Sequence, residues 1–303
     1  MLKVVILGSA AGGGLPQWNC NCPVCAAAWA DPALRNTQVS VAVSADGGQH
    51  WFLINASPDI RQQILQTPAL HPAQGQLRHS PIAGVILTNG EIDAIAGLLS
   101  LREGSPFGLY AHTRVLQTLS ENTVFDVLNR ALVPRITLQL DEAFEPCLPG
   151  GAASGLMVQA FAVPGKPAWY IETAAADPGD TIGLKLWPAT GGDAVYIIAA
   201  CAEVTLDLTA RLQGARLVLF DGTLWQDDEM IRAGLGVKTG GHMGHMSMSG
   251  PDGAIAVLAD LGIAERVFVH INNTNPVHLP SDERAQAMQA GWRIPAVGEE
   301  FTL

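Results

Sequence analysis

Three cysteines fall within six positions, Cys20, Cys22 and Cys25. Sulfurs this close can fold round one soft ion, because Zn²⁺ favours tetrahedral sulfur and nitrogen ligands and lowers thiol pKa enough to bind them as thiolates. The plainer alternative is three small buried residues in a tight loop. Cys147 and Cys201 lie far away, and an odd, clustered count of five suits metal in a reducing compartment better than disulfides. A site of three sulfurs with its fourth position closed is structural rather than catalytic, and the fourth donor must come from a distant part of the chain.

A second polar group, Thr88-Asn89-Gly90-Glu91-Ile92-Asp93-Ala94, ends one apolar run and opens an amphipathic one. Glu91 and Asp93 therefore leave a strand end, where side chains converge on a cleft, and Asp93 near a helix N-terminus gains from the dipole. Helix capping alone would account for one of them. Asp221 follows the apolar run 217–220 and His270 follows Val267-Phe268-Val269, so two more buried strands deliver a titratable group to an edge. His242 and His245 stand among glycines, which predicts a loop rather than the paired-histidine face of a helix; the zincin motif would need Glu after the first His. His50, His71, His79, His112 and His278 sit among loop and polar residues and receive no role. No Gly-x-Ser-x-Gly nucleophile word occurs.

The elements that must hold these groups are short. β-branched runs bounded by Gly, Pro and Asp predict strands at 4–7, 39–43, 51–55, 85–88, 157–163, 181–187, 195–199, 217–220 and 267–271. Helical periodicity appears at 58–65, 92–102, 113–129, 206–212, 252–261 and 281–290, with Ser57 and Ser281 as N-caps. Early strands lack helices between them and later ones alternate with helices, which predicts two sheets with helices packed outside. No Pro-, Gly- or Ser-rich linker divides the chain and the 174–180 loop is too short for a hinge, so a single domain over 1–303 is expected. No fixed-period repeat is visible, which leaves room for a two-fold repeat too diverged to see.

Gly8-Ser9-Ala10-Ala11-Gly12-Gly13-Gly14 follows the first strand but lacks the Gly-Lys-Ser/Thr of a Walker loop and has Gln17 where a dinucleotide fingerprint needs its third Gly. It reads as a turn letting backbone pass close to another element, and secondly as a cleft lining. At 303 residues, 48% hydrophobic and 15% charged, the chain is a folded one with room for a large core. Its net charge of −11 disfavours nucleic acid and anionic membrane surfaces. The apolar start is too short for a signal peptide and no run reaches the roughly 18 apolar residues of a spanning helix, so a cytoplasmic protein is expected.

The glycine run above, together with Pro16-Gln17-Trp18-Asn19-Cys20-Asn21-Cys22, Asn55-Ala56-Ser57-Pro58-Asp59-Ile60-Arg61, Phe220-Asp221-Gly222-Thr223 and His270-Ile271-Asn272-Asn273-Thr274-Asn275-Pro276, resembles the B-protein family of pyrroloquinoline quinone (PQQ) biosynthesis. The likeness runs from the first strand to the last helix. It implies an α/β protein of the metallo-β-lactamase fold, an αβ/βα sandwich of two mixed sheets with helices on the outer faces. The usual turn of that superfamily, Thr-His-x-His-x-Asp-His, is matched here by Thr88, Asn89, Glu91, Asp93 and Ala94, so three of its histidines are replaced; Ala94 also departs from the Asp-His that many PQQ relatives keep. Asp93, Asp221 and His270 match ligand positions of the fold, and His245 matches a histidine facing the same cleft.

The resemblance further implies a cytoplasmic, iron- and O₂-dependent hydroxylation of the tyrosine ring in a Glu-Tyr unit cut from a precursor peptide. Asp93, His245 and His270 would form a two-His, one-carboxylate face suited to Fe²⁺, with Asp221 as a further catalytic residue. Asn89, Glu91, Trp18 and Ser57 are expected to face substrate. In related phosphodiesterases the fourth zinc ligand is a His three places after the strand-end His; that position is Asn273, with His270 or water as alternatives. Other PQQ-pathway proteins and a second copy of the chain are the partners in view. A non-catalytic carrier of PQQ or its precursor, and a metal-dependent hydrolase, are the competing functions.

Overall fold

The computed structural model describes residues 1–171 and 175–303. Ala174, the first residue of the 174–180 loop, lies outside them. Strands β1 (Lys3–Gly8), β2 (Ser40–Ser44), β3 (Trp51–Ile54), β4 (Ile82–Ile86), β5 (Gly108–His112), β6 (Arg135–Leu138), β7 (Ala143–Phe144), β8 (Leu156–Ala162), β9 (Ile182–Pro188), β10 (Val195–Ile198), β11 (Leu217–Asp221), β12 (Glu265–Val269), β13 (Trp292–Arg293) and β14 (Glu300–Thr302) form two sheets. Their orders are β14-β1-β2-β3-β4-β5-β6 and β7-β8-β9-β10-β11-β12-β13. Along either order the first three pairings are antiparallel and the last three parallel. The two halves thus repeat one topology that their sequences do not show.

Alternation along the strands explains the layering. Val4 and Ile6 of β1, Phe52 and Ile54 of β3, Leu217 and Leu219 of β11, and Val267 and Val269 of β12 share one apolar layer between the sheets. Their neighbours Val5, Leu7, Trp51 and Leu53 face outward, under Ile60, Ile95, Leu98, Val115 and Leu119 of the first sheet's helices. Val218, Phe220 and Phe268 likewise pack under Leu208, Leu212, Leu258 and Ala287 on the second sheet. A strand covered on both faces reads as a continuous apolar run, which is why these strands were predictable. The expected sandwich with outer helices is the observed fold.

Several predicted helices are shorter than their periodicity suggests. The stretch 92–102 is one α-turn, Ile92–Ile95, followed by a 3₁₀ segment, Ala96–Leu101. There Gly97 lies against the Ala56 and Ser57 carbonyls, where any Cβ would collide, and donates its N–H to Ala56 at 2.8 Å. The helix at 113–129 stops at Glu121, because Asn122 turns extended and ties its side chain back to the Thr118 carbonyl. Only Ala254–Val257 of 252–261 is helical. The helix Ile60–Gln66 begins after Asp59, so Ser57 is not its N-cap; Ser281 does cap Asp282–Gln289, accepting from the Arg284 N–H. No helix of the described residues is long and apolar enough to cross a membrane.

His278 has a structural part. Its Nε2 lies 3.3 Å from the Ile271 carbonyl, and burial, together with the Arg284 cation, lowers its pKa from 6.5 to about 4. The folded state therefore binds this proton less readily than the unfolded chain. Its stabilising effect is full above about pH 6.5 and is lost as pH falls towards 4, roughly 2 kcal/mol being gone by pH 5. Urea unfolding at pH 7 and pH 5 should show a steeper loss in the wild type than in His278→Asn; equal losses would refute the assignment.

Candidate metal centres

β1 ends at Gly8, whose missing Cβ lets the chain pass against the Thr37 and Gln38 backbone. The loop that follows carries the cysteines. Cys22 caps the helix Pro23–Ala30, its sulfur accepting from the Cys25 N–H at 3.5 Å, and Pro23 starts the helix without an N–H to satisfy. This brings the Cys20, Cys22 and Cys25 sulfurs within 4.8 Å of one another. Tetrahedral zinc with bonds of about 2.3 Å needs sulfurs roughly 3.8 Å apart, so the set fits the ion.

The buried Asn273 amide nitrogen lies 3.3 Å from Cys20, 3.2 Å from Cys25 and 3.9 Å from Cys22. The side chain therefore stands where a fourth donor would, and a half-turn of its amide presents oxygen instead of nitrogen. The His270 alternative does not hold, because that ring is engaged elsewhere. Burial pushes the Cys25 thiol up to about 11, whereas N–H and thiol donors around Cys20 outweigh its burial and hold it below the usual thiol range.

The second centre gathers strand ends. Asp221 closes β11, and His270 follows β12 with φ at 57°, a left-handed backbone that is uncommon away from glycine. His245 comes from the glycine-rich segment, which folds as one helical turn, Gly240–Met243, closed by left-handed Gly244; the predicted loop is thus partly helical. Asp221, His245 and His270 place ligand atoms within 4.8 Å of one another. His245 Nδ1 is 2.7 Å from Asp221 Oδ2, His270 Nε2 is 2.9 Å from Asp93 Oδ2, and the two rings stack at 4.9 Å. Burial pushes the Asp93 carboxyl up, but the His270 hydrogen bond and charge outweigh it and hold Asp93 below the usual carboxylate range. The reverse balance holds His270 above the ordinary imidazole range.

The hub of this network is Thr223, a residue present in a matched word but assigned no role by its sequence. Its hydroxyl donates to Asp221 Oδ1 at 2.6 Å and lies 3.0 Å from His245 Nδ1 and 2.8 Å from His270 Nδ1. The hydroxyl oxygen thus stands within hydrogen-bond reach of both rings. Thr223→Val should leave buried polar atoms without partners and cost about 1–3 kcal/mol, with Thr223→Ser restoring most of it in urea titrations. Equal stability of the Val variant and the wild type would contradict the hub.

Above the centre lies a cavity of about 510 Å³ whose lining includes Gly12, Gly13, Asn89, Glu91, Asp93, Thr223, His245 and His270, and also Lys166, Trp169, Lys238 and two methionines. Both readings of the glycine run are therefore realised, as close passage at Gly8 and as cavity wall at Gly12 and Gly13. Asn89 and Glu91 face the cavity as expected, Glu91 being raised by burial against the pull of Lys166. Trp18 and Ser57 are corrections. Trp18 is 82% exposed outside the lining, and Ser57 is fully buried, donating to Gln63 at 3.1 Å. Ala94, at 2% exposure, packs in the helix-side apolar layer.

A model of the beta-lactamase superfamily domain matches residues 50–271. Coenzyme PQQ synthesis protein B of Rhodopseudomonas palustris (strain ATCC BAA-98 / CGA009) is 61% identical over 309 residues, and that of Bradyrhizobium diazoefficiens 61% over 311, each match covering 100% of both chains. The crystal structure of Zn²⁺-bound PqqB from Methylobacterium extorquens superposes with a TM-score of 0.93 at 51% identity, covering 99% of this chain and 100% of that one. A diphosphatase of the PhnP family shares the fold, with a TM-score of 0.70 at 20% identity, covering 100% of this chain and 98% of the other. The chain belongs to the coenzyme PQQ synthesis protein B family of the beta-lactamase superfamily.

Proposed function

We propose that this chain acts in PQQ synthesis as an iron- and O₂-dependent hydroxylase of the tyrosine ring in a precursor-derived Glu-Tyr unit. The observation that carries the reading is the donor set at the cavity: His245, His270 and Asp93 line it, Asp221 is fully buried outside its lining, and the four form two hydrogen-bonded pairs, His245 with Asp221 and His270 with Asp93. Two imidazoles with a carboxylate suit Fe²⁺ with open positions. Bound there, iron would supply the activation of O₂. Thr223 orients the two rings, Asp221 holds the His245 Nδ1 side and Asp93 the His270 Nε2 side. Asn89 and Glu91 stand where a dinuclear hydrolase has histidines, which disfavours hydrolysis.

Cys20, Cys22, Cys25 and Asn273 form a separate structural Zn²⁺ site in this proposal, supported by their geometry and by the zinc-bound relative. The unpaired cysteines suit a cytoplasmic setting. Anaerobic loading with Fe²⁺, then addition of O₂, Glu-Tyr and a two-electron donor such as ascorbate, should give a product heavier by one oxygen by mass spectrometry, the second oxygen atom leaving as water. Iron-dependent loss of a phosphodiester instead, or tight PQQ binding with no turnover, would replace this reading with the hydrolase or the carrier.

A further inference from the structure

The chain carries only four lysines within a net charge of −11, yet two of them, Lys166 and Lys238, line the cavity above the histidine pair. Lys166 is placed there by packing. Its stem crosses Gly244, where a Cβ would come 3.1 Å from Lys166 Cγ, immediately beside His245. Its ammonium lies 3.6 Å from Glu91, a loose pairing that leaves donors free, since an ammonium has three. Glu91 also accepts the Trp169 N–H at 3.2 Å, and the Tyr170 hydroxyl donates to the Gly90 carbonyl at 2.5 Å. The segment carrying Lys166 and Trp169 is thereby fastened to the turn that carries Asp93. Lys238, exposed at the cavity lining, has no carboxylate within 4.0 Å among the described residues, whereas the other cavity lysine does.

The same lining includes the apolar side chains of Ile92, Trp169, Met230 and Met243. Two cations in one cavity that also offers apolar and aromatic side chains and a polar floor match an aromatic ligand with carboxylates at its periphery. We propose that Lys166 and Lys238 select carboxylated aromatic ligands, each lysine pairing with a different carboxylate while the ring lies along the Trp169 and methionine wall. This rests on the reading above only for the identity of the substrate. The lysine pairing itself extends to any small aromatic polycarboxylate.

Calorimetry on the zinc-containing, iron-free protein tests it with four probes: Glu-Tyr, Gln-Tyr, PQQ and the PQQ trimethyl ester. The wild type should bind Glu-Tyr about tenfold tighter than Gln-Tyr, and PQQ more than tenfold tighter than its ester, as expected for charge-assisted pairs. Lys238→Gln and Lys166→Gln should each shrink the ratio of PQQ to its ester towards one, and one of the two, the lysine facing the Glu side chain, should also shrink the dipeptide ratio, with Lys238→Arg keeping both. If PQQ shows the lysine-dependent preference and neither dipeptide binds, the lysine assignment stands and the Glu-Tyr hydroxylase reading falls. If the wild type binds charged and neutral probes alike, or the Gln variants keep the preference, the lysine assignment is overturned while oxygen insertion continues to judge the hydroxylase.

Discussion

Cys25→Ser protein, purified without added metal, is expected to carry less than about a tenth of the zinc of the wild type, which should hold close to one ion per chain. Cys25 is fully buried among Ala10, Leu15, Val24 and Ala28, a small apolar cluster set apart from the three main layers. Without the ion that cluster is held by its own packing, the Asn273 amide and the backbone hydrogen bonds of Ala10 and Leu15 to the Thr37 and Asn36 carbonyls. The effect should remain local: about 3–5 kcal/mol of stability, or on the order of 10 °C in melting temperature for a chain of this size. Chelation of the wild type should reproduce the shift. Because the metal-free Cys25 thiol sits at about 11, zinc uptake must expel its proton, so affinity should climb steeply from pH 6 to pH 8 with measurable proton release. Metal analysis showing no zinc in the wild type, or undiminished zinc in Cys25→Ser, would remove the structural site.

His270→Ala and Asp93→Ala should each lower oxygen insertion into Glu-Tyr by about a thousandfold or more, since each deletes a donor of the proposed iron set. Both should also weaken Fe²⁺ binding, and in the wild type that binding should tighten when Glu-Tyr is present, because a ligand favouring the assembled site shifts the equilibrium towards it. Oxygen insertion that survives both substitutions would show that the chemistry lies elsewhere. Ala94→His is the complementary variant. An imidazole at that buried place must displace packed apolar atoms at a cost of about 1–3 kcal/mol, and the natural chain should be active without it. Activity found only in Ala94→His would mean that the natural site is impaired.

What could be read from the sequence follows from burial. β1, β4, β11 and β12 are covered on both faces and announce themselves as apolar runs, so Asp221 and His270 at two of their ends were visible as site residues. β6, β7, β13 and β14 are two to four residues long, include exposed positions and sit at or near sheet edges, too short for any period to emerge. The helix Pro23–Ala30 is half alanine and has no apolar stripe; its only signals were the Cys-Pro cap and the cysteine spacing. Trp18 and Ser57 were misplaced because a matched word says nothing of which way a side chain turns. Thr223, Lys166, Trp169 and Lys238 stayed hidden because their roles arise from loops that the fold brings together, and only Thr223 lay inside a matched word.

The polar run after β12 is a single short loop, held to the body of the protein by Asn275, whose amide reaches the Gly222 carbonyl at 3.1 Å. It carries His270 at one place and Asn273 three residues later, so each candidate metal centre takes one residue from the same short piece of backbone. Occupancy of the two centres cannot then be independent if either ion shifts that loop. Thermodynamic reciprocity requires that whatever factor zinc contributes to iron affinity, iron contributes to zinc affinity. A site that performs no chemistry would in this way set the working concentration of the metal at the site that does.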